Sequence, residues 1–154
     1  MSLIVELQLA QTGTVEVPVA EKFQQWAGLA YDGRYEQAEL AVRVTDEAEI
    51  AALNLQYRHK NGPTNVLSFP VDESDESGVY YLGDIVICAD VVASEALQQS
   101  KTLESHWAHM VLHGTLHLLG YDHESDEDAD EMETFEIELM QKLGYENPYL
   151  CEKS

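Results

Sequence analysis

Four histidines fall between positions 106 and 117 (His106, His109, His113 and His117), and His123 follows just beyond. Side chains four apart on a helix share a face. His113 and His117 can therefore turn both imidazoles toward one cation. A straight helix cannot bring His123 to that face, so the chain must turn after His117. Gly120 sits where the turn is needed, and glycine ends helices readily because it reaches positive φ at little steric cost. Beyond it, Tyr121-Asp122 leads back to His123 as a third ligand. Three imidazoles with one open position form a catalytic zinc geometry, whereas structural sites close all four positions, often with cysteines. Cys88 and Cys151 both lie away from this motif in sequence. One Zn2+ per chain is expected, with an open position for a water that zinc acidifies toward a pKa of about 7.

The spacing His-x3-His-x2-Gly-x2-His matches the frame of the metzincin motif, with one departure. Gly114 stands where those proteases carry their glutamate general base. Asp122 is the nearest replacement. It is a candidate for proton transfer, a fourth ligand, or a partner that orients an imidazole, and the orienting role is favoured. His109, one turn before His113, is expected to be buried or to support a ligand rather than touch the metal. His106 and His59 read as ordinary polar residues.

These residues need a scaffold. Residues 3–9 and 38–44 alternate apolar and polar, and read as strands. Pro18 opens a helix over 19–31, and Thr45-Asp46-Glu47 caps a second, which Asn61-Gly62-Pro63 ends. Residues 65–70 and 79–88 read as two strands joined through the acidic run Asp72-Glu73-Ser74-Asp75-Glu76. Asp90 can cap a helix over 91–100. Further helices are expected over 103–119 and 126–143, with Gly144 as the stop. The order predicts a single α+β domain over 1–154, with a mixed sheet of about four strands packed against helices. The metal site then lies on a C-terminal helix and the turn after it. On the last helix Met132, Phe135, Leu139 and Met140 form an apolar stripe, and its acids read as a solvated face.

The chain has 154 residues and a formal net charge of −21. That balance argues against non-specific adhesion to nucleic acid or anionic membrane. No stretch approaches the ~18 apolar residues of a membrane span. The N-terminus does not read as a signal peptide, and two distant cysteines are no disulfide framework. A reducing cytoplasm is the expected location. Arg58-His59-Lys60 is the one tight basic cluster, a local cationic spot on an acidic protein.

The block from His113 to His123, HGTLHLLGYDH, resembles the signature of the YbeY family of bacterial endoribonucleases. Asn54-Leu55-Gln56-Tyr57-Arg58, the run from Pro63 to Pro70, Leu82-Gly83-Asp84-Ile85-Val86-Ile87 and Asn147-Pro148-Tyr149 resemble other blocks of that family. The likeness runs from about residue 38 to 149. It implies an α+β fold and a zinc on the three histidines. It also implies a cytoplasmic, single-strand-specific endoribonuclease acting in 16S rRNA 3′-end maturation and ribosome quality control. Its partners would be single-stranded rRNA and the ribosome or small-subunit proteins, with no membrane.

With that resemblance Arg58 becomes a candidate for phosphate contact, because a guanidinium can bind two phosphoryl oxygens at once. Without it, a helix C-terminal cation that offsets the helix dipole or pairs with a surface acid is favoured. Phe69 is expected in the core rather than stacked on a base. Asp84 either hydrogen-bonds an imidazole or Arg58, or belongs to a bulge beside Gly83. Two other functions use the same residues: a metallopeptidase, which Gly114 weakens, and a non-catalytic zinc-stabilised ribosome-binding module, which would need a fourth protein ligand.

Overall fold

The structure is a computed structural model, and it describes residues 2–11, 13–121 and 125–149. The elements run β1 (Ser2–Leu9), α1 (Ala20–Ala30), β2 (Gln37–Thr45), α2 (Glu47–Arg58), β3 (Val66–Ser74), β4 (Tyr80–Cys88), α3 (Ala89–Gln98), α4 (Leu103–Leu118) and α5 (Asp126–Lys142). The strands form one mixed sheet in the order β1-β2-β4-β3. β1 and β2 are parallel, as are β2 and β4, while β3 closes the edge antiparallel to β4. This is the α+β architecture with four strands that the sequence predicts.

Two boundaries differ from the sequence reading. α3 follows β4 without a loop, so Cys88 is its N-cap and Asp90 lies in its first turn rather than capping it. The acidic run is not all loop, because β3 continues to Ser74. Its register shifts between Pro70 and Glu73, and Asp72 takes a φ of 60° there. The extra residue of a bulge lets the strand continue past a proline that cannot donate to the ladder.

Period-two alternation in the strands separates two apolar faces. Ala38, Leu40, Val42 and Val44 of β2 and Ile85 and Ile87 of β4 join Phe23, Trp26, Trp107, Leu112 and Leu116 in the main core. Phe23 meets Trp26 and Trp107 edge-on, with ring centroids 6.0 and 5.7 Å apart. Leu67, Val86 and Cys88 face the other way, toward Ile50 of α2. Phe69 packs against this second cluster and against Tyr57, as expected of a core aromatic.

α4 is buried over most of its circumference, as suits a helix with little polar surface. Its approach to the sheet is set by Gly114. A Cβ placed there would lie 2.8 Å from Ile85 Cγ2 and 3.1 Å from Ile85 Cδ1. Ile85 is fully buried and has nowhere to retreat. Ser68 on β3 reaches the Gly114 carbonyl at 3.4 Å, tying the same helix to the edge strand. Gly83 makes the complementary opening in β4, since a Cβ there would stand 2.3 Å from the Phe69 carbonyl oxygen.

Overpacking a filled core costs about 1–3 kcal/mol. Gly114→Ala is expected to lower unfolding free energy by that amount in urea titration. A variant as stable as the parent would show that α4 does not need this close approach.

Candidate metal centre

α4 begins with Thr102, whose side chain accepts from the Ser105 N–H at 3.1 Å. It ends in a left-handed glycine turn. Gly120 has a φ of 104°, its N–H reaches the His117 carbonyl at 3.0 Å, and Tyr121 N–H reaches Leu116 at 3.1 Å. This paired bonding is the Schellman ending, which satisfies carbonyls a helix terminus otherwise leaves open. The chain thus turns sharply just after His117, as the spacing requires. His123 and Asp122, the expected third ligand and its neighbour, lie outside the described residues.

His113 and His117 lie together on one face of α4. Their Nε2 atoms are 3.0 Å apart, and both rings are partly exposed. Behind them is Glu136 of α5, fully buried, with no exposed surface. Its Oε1 lies 2.6 Å from His113 Nδ1, and its Oε2 lies 2.6 Å from His109 Nε2. Tyr149 Oη also donates to Oε2. Burial pushes this carboxyl up, but the hydrogen bonds from His109 and His113 outweigh it and hold the pKa well below the usual carboxylate range. An ionised carboxylate only accepts, so both ring nitrogens facing it carry protons. With Nδ1 on Glu136, His113 turns Nε2 toward His117.

Two arrangements of donors therefore share His113. His109, His113 and Glu136 place ligand atoms within 4.8 Å of one another. Those atoms are already engaged with each other, in the interior. The outer pair of Nε2 atoms opens on a cleft. Two neutral imidazoles cannot both aim lone pairs at each other across 3.0 Å without a proton or a cation between them. Zinc binds imidazole nitrogen at about 2.0–2.1 Å, so that separation is within reach of a shared ion. The donor set fits a borderline cation such as zinc.

The cleft has a volume of about 480 Å3 and lies along β3, the edge strand. His113 and His117 form one wall, and Asn54 and Arg58 of α2, with Lys60, line it as well. Arg58 closes α2, after which His59 takes a left-handed φ of 57° and Lys60 follows. Asn54 is buried, and its Nδ2 donates to the Gly62 carbonyl at 3.0 Å, fixing the loop that carries these cations. Elsewhere Lys22, Arg34 and Arg43 each pair with an acid. Among the described residues, Arg58 and Lys60 form no salt bridge, so the surface-acid pairing considered for Arg58 is not found.

Other candidates separate. Asp84 accepts from Tyr81 Oη and, among the described residues, from no imidazole and not from Arg58, and it adjoins the Gly83 bulge. His106, read as an ordinary polar residue, is buried, 2.9 Å from Glu95. His109 is buried as expected. Glu136 is the functional candidate that the sequence reading missed, having been taken as part of a solvated acidic face. The signal was present, for Glu136 follows Met132 by four and precedes Leu139 and Met140 by three and four. It is an acid within the apolar stripe.

The fold and this cluster define an α+β protein with a candidate metal centre at the mouth of a polar, locally cationic cleft. A family described as Endoribonuclease YbeY matches residues 8–144, nearly the whole sequence, and the chain belongs to that family. Membership implies an endoribonuclease, a hydrolase, in rRNA processing. The chain is also similar to TM1509 from Thermotoga maritima, known from a solution structure, at 27% identity, 96% coverage of each chain and a TM-score of 0.48.

Burial, above all, holds the His109 pKa below the ordinary histidine value. The folded ring stays neutral where the unfolded one takes a proton, so stability declines as pH falls below about 6.5. Glu136 adds to this at lower pH. Its depressed carboxyl contributes stability that is present above the unfolded value of about 4.3 and lost as pH falls toward the folded one. The urea midpoint of metal-free protein should drop between about pH 7 and about pH 5, and His109→Gln should flatten that slope. A level midpoint over this range would contradict a neutral buried His109.

Proposed function

We propose that this protein is a zinc-dependent, single-strand-specific endoribonuclease of the cytoplasm. It holds one Zn2+ on His113, His117 and His123, and acts in 16S rRNA 3′-end maturation and ribosome quality control. Family membership supports RNA as substrate. The observation that carries the reading is the facing pair of Nε2 atoms, 3.0 Å apart, in the same cleft as Arg58 and Lys60, which form no salt bridge among the described residues. Bound zinc supplies Lewis acidity and a water that ionises near neutral pH.

The chain's own residues supply the rest. Phosphodiester hydrolysis builds negative charge on the non-bridging oxygens, and Arg58 can bind two of them in one plane. Lys60 adds a point charge for a neighbouring phosphate. A cleft of about 480 Å3 can take a nucleotide of an extended strand. Asp122 adjoins the third histidine in sequence, and its role is to orient an imidazole or to move a proton. Small-subunit proteins or the ribosome would deliver the RNA, since a net charge of −21 repels a free polyanion.

The metallopeptidase alternative lacks its base. Gly114 faces Ile85, so a glutamate at that position would enter the core and not the cleft. The non-catalytic zinc module would need a fourth protein ligand where the cleft opens.

Metal-loaded protein is expected to cleave single-stranded rRNA. His113→Ala and His117→Ala should lose both the metal and the cleavage. Arg58→Ala should keep the metal and lose turnover by about 10²–10³-fold, the usual cost of one transition-state donor. Equal cleavage by all three variants would trace the activity to a contaminant and overturn the reading.

A further inference from the structure

The sequence motifs leave two features without a task. One is an acid inside the apolar stripe of α5, and the other is the segment Asn147-Pro148-Tyr149. In the structure they meet at one carboxylate. Glu136 receives His113 Nδ1 on one oxygen and His109 Nε2 and Tyr149 Oη on the other. Tyr149 is itself placed by its neighbours. Its N–H reaches Asn147 Oδ1 at 2.8 Å, and Lys101 Nζ donates to the Pro148 carbonyl. His109 and Tyr149 also meet edge-on, with ring centroids 5.3 Å apart.

We infer that Glu136 is the positioning residue of the metal centre: it fixes His113 as the Nδ1–H tautomer, so that Nε2 is the ligating nitrogen. This rests on the proposed ligand role of His113 and His117. A histidine's two nitrogens are not equivalent, and the proton on one decides that the other can bind a cation. A carboxylate behind the ring selects the tautomer, fixes ring orientation and raises the basicity of the ligating nitrogen. Glu136 meets each requirement. Its Oε1 is 2.6 Å from Nδ1, and it is fully buried on the same helix as the buried Met132, Leu139 and Met140. His109 and Tyr149 occupy the second oxygen, so the first stays directed at His113. On this account Asn147, Pro148 and Tyr149 hold the carboxylate in place from the side away from His117.

The test compares wild type with Glu136→Gln, which keeps size and removes charge, and with His109→Ala and His117→Ala. Two readouts are used, neither of them activity. The first is Zn2+ affinity by competition with a chromophoric chelator. Glu136→Gln should bind about 10–100-fold more weakly, the usual cost of losing such a partner. The second is the His113 tautomer in metal-free protein, by 15N NMR. Wild type should show the Nδ1–H form and Glu136→Gln a mixture. The wild-type spectrum stands alone if the variant fails to fold, and an Nε2–H ring at His113 would overturn the inference. Unchanged affinity in a folded Glu136→Gln would also overturn it, while loss of binding in His117→Ala left the ligand assignment intact. If His117→Ala bound metal normally and His109→Ala did not, the ion would sit among His109, His113 and Glu136. The ligand assignment and the inference would then fall together.

Discussion

A negative charge sits in the middle of this protein. Burying a lone carboxylate costs several kcal/mol even after the surroundings relax, and such a group normally takes up a proton instead. Glu136 stays ionised because His109, His113 and Tyr149 all donate to it. Those donors come from α4 and from the chain beyond α5, while the acceptor comes from α5 itself. The charge can be satisfied only when these three pieces are docked. The same contact that joins the C-terminal helix to the central one thereby sets the face that His113 turns outward. Packing and site chemistry are one constraint here.

The sheet supplies the other half. α4 lies so close to β4 that no side chain fits at position 114, and this brings the histidine pair down to the level of the edge strand. β3 has no further strand beyond it in the described sheet, so its outer edge becomes the floor of the cleft. α2, packed on the opposite face, ends at the same edge and delivers Arg58 to it. The histidine pair and the cations thus arrive from two sides of one sheet. The cleft is electrostatically local. On a chain of net charge −21, the two basic residues in it form no salt bridge among the described residues, while Lys22, Arg34 and Arg43 each pair with an acid.

Much of this was legible in the amino-acid order, because strong periodicity and turn chemistry agree with the tertiary packing. The alternating runs at 3–9 and 38–44 are β1 and β2, and Gly120 ends α4 by the turn its position implies. The failures share a cause. Glu136 and His106 are polar residues whose roles depend on what lies opposite them in space. Composition placed Glu136 on a solvated face because eight other acids surround it between 124 and 138. Only its spacing from Met132 and Leu139 says otherwise. His106 read as an ordinary polar residue, yet it is buried against Glu95 of α3, a partner that only helix packing brings to it. Asp84 follows a glycine whose bulge could be anticipated, but Tyr81 as its donor could not. Asp90 and the acidic run show the milder error of boundaries, where one element passes into the next without the expected loop.

The central claim is that the cation sits on the cleft side of His113, held with His117, and not on the carboxylate side with His109. Anomalous diffraction from zinc-loaded crystals, recorded on both sides of the zinc edge, addresses it directly. The account requires one anomalous peak per chain, at ligand distance from His113 Nε2 and His117 Nε2, with Glu136 still on Nδ1. A peak between His109 and Glu136, or none near His117, would contradict it.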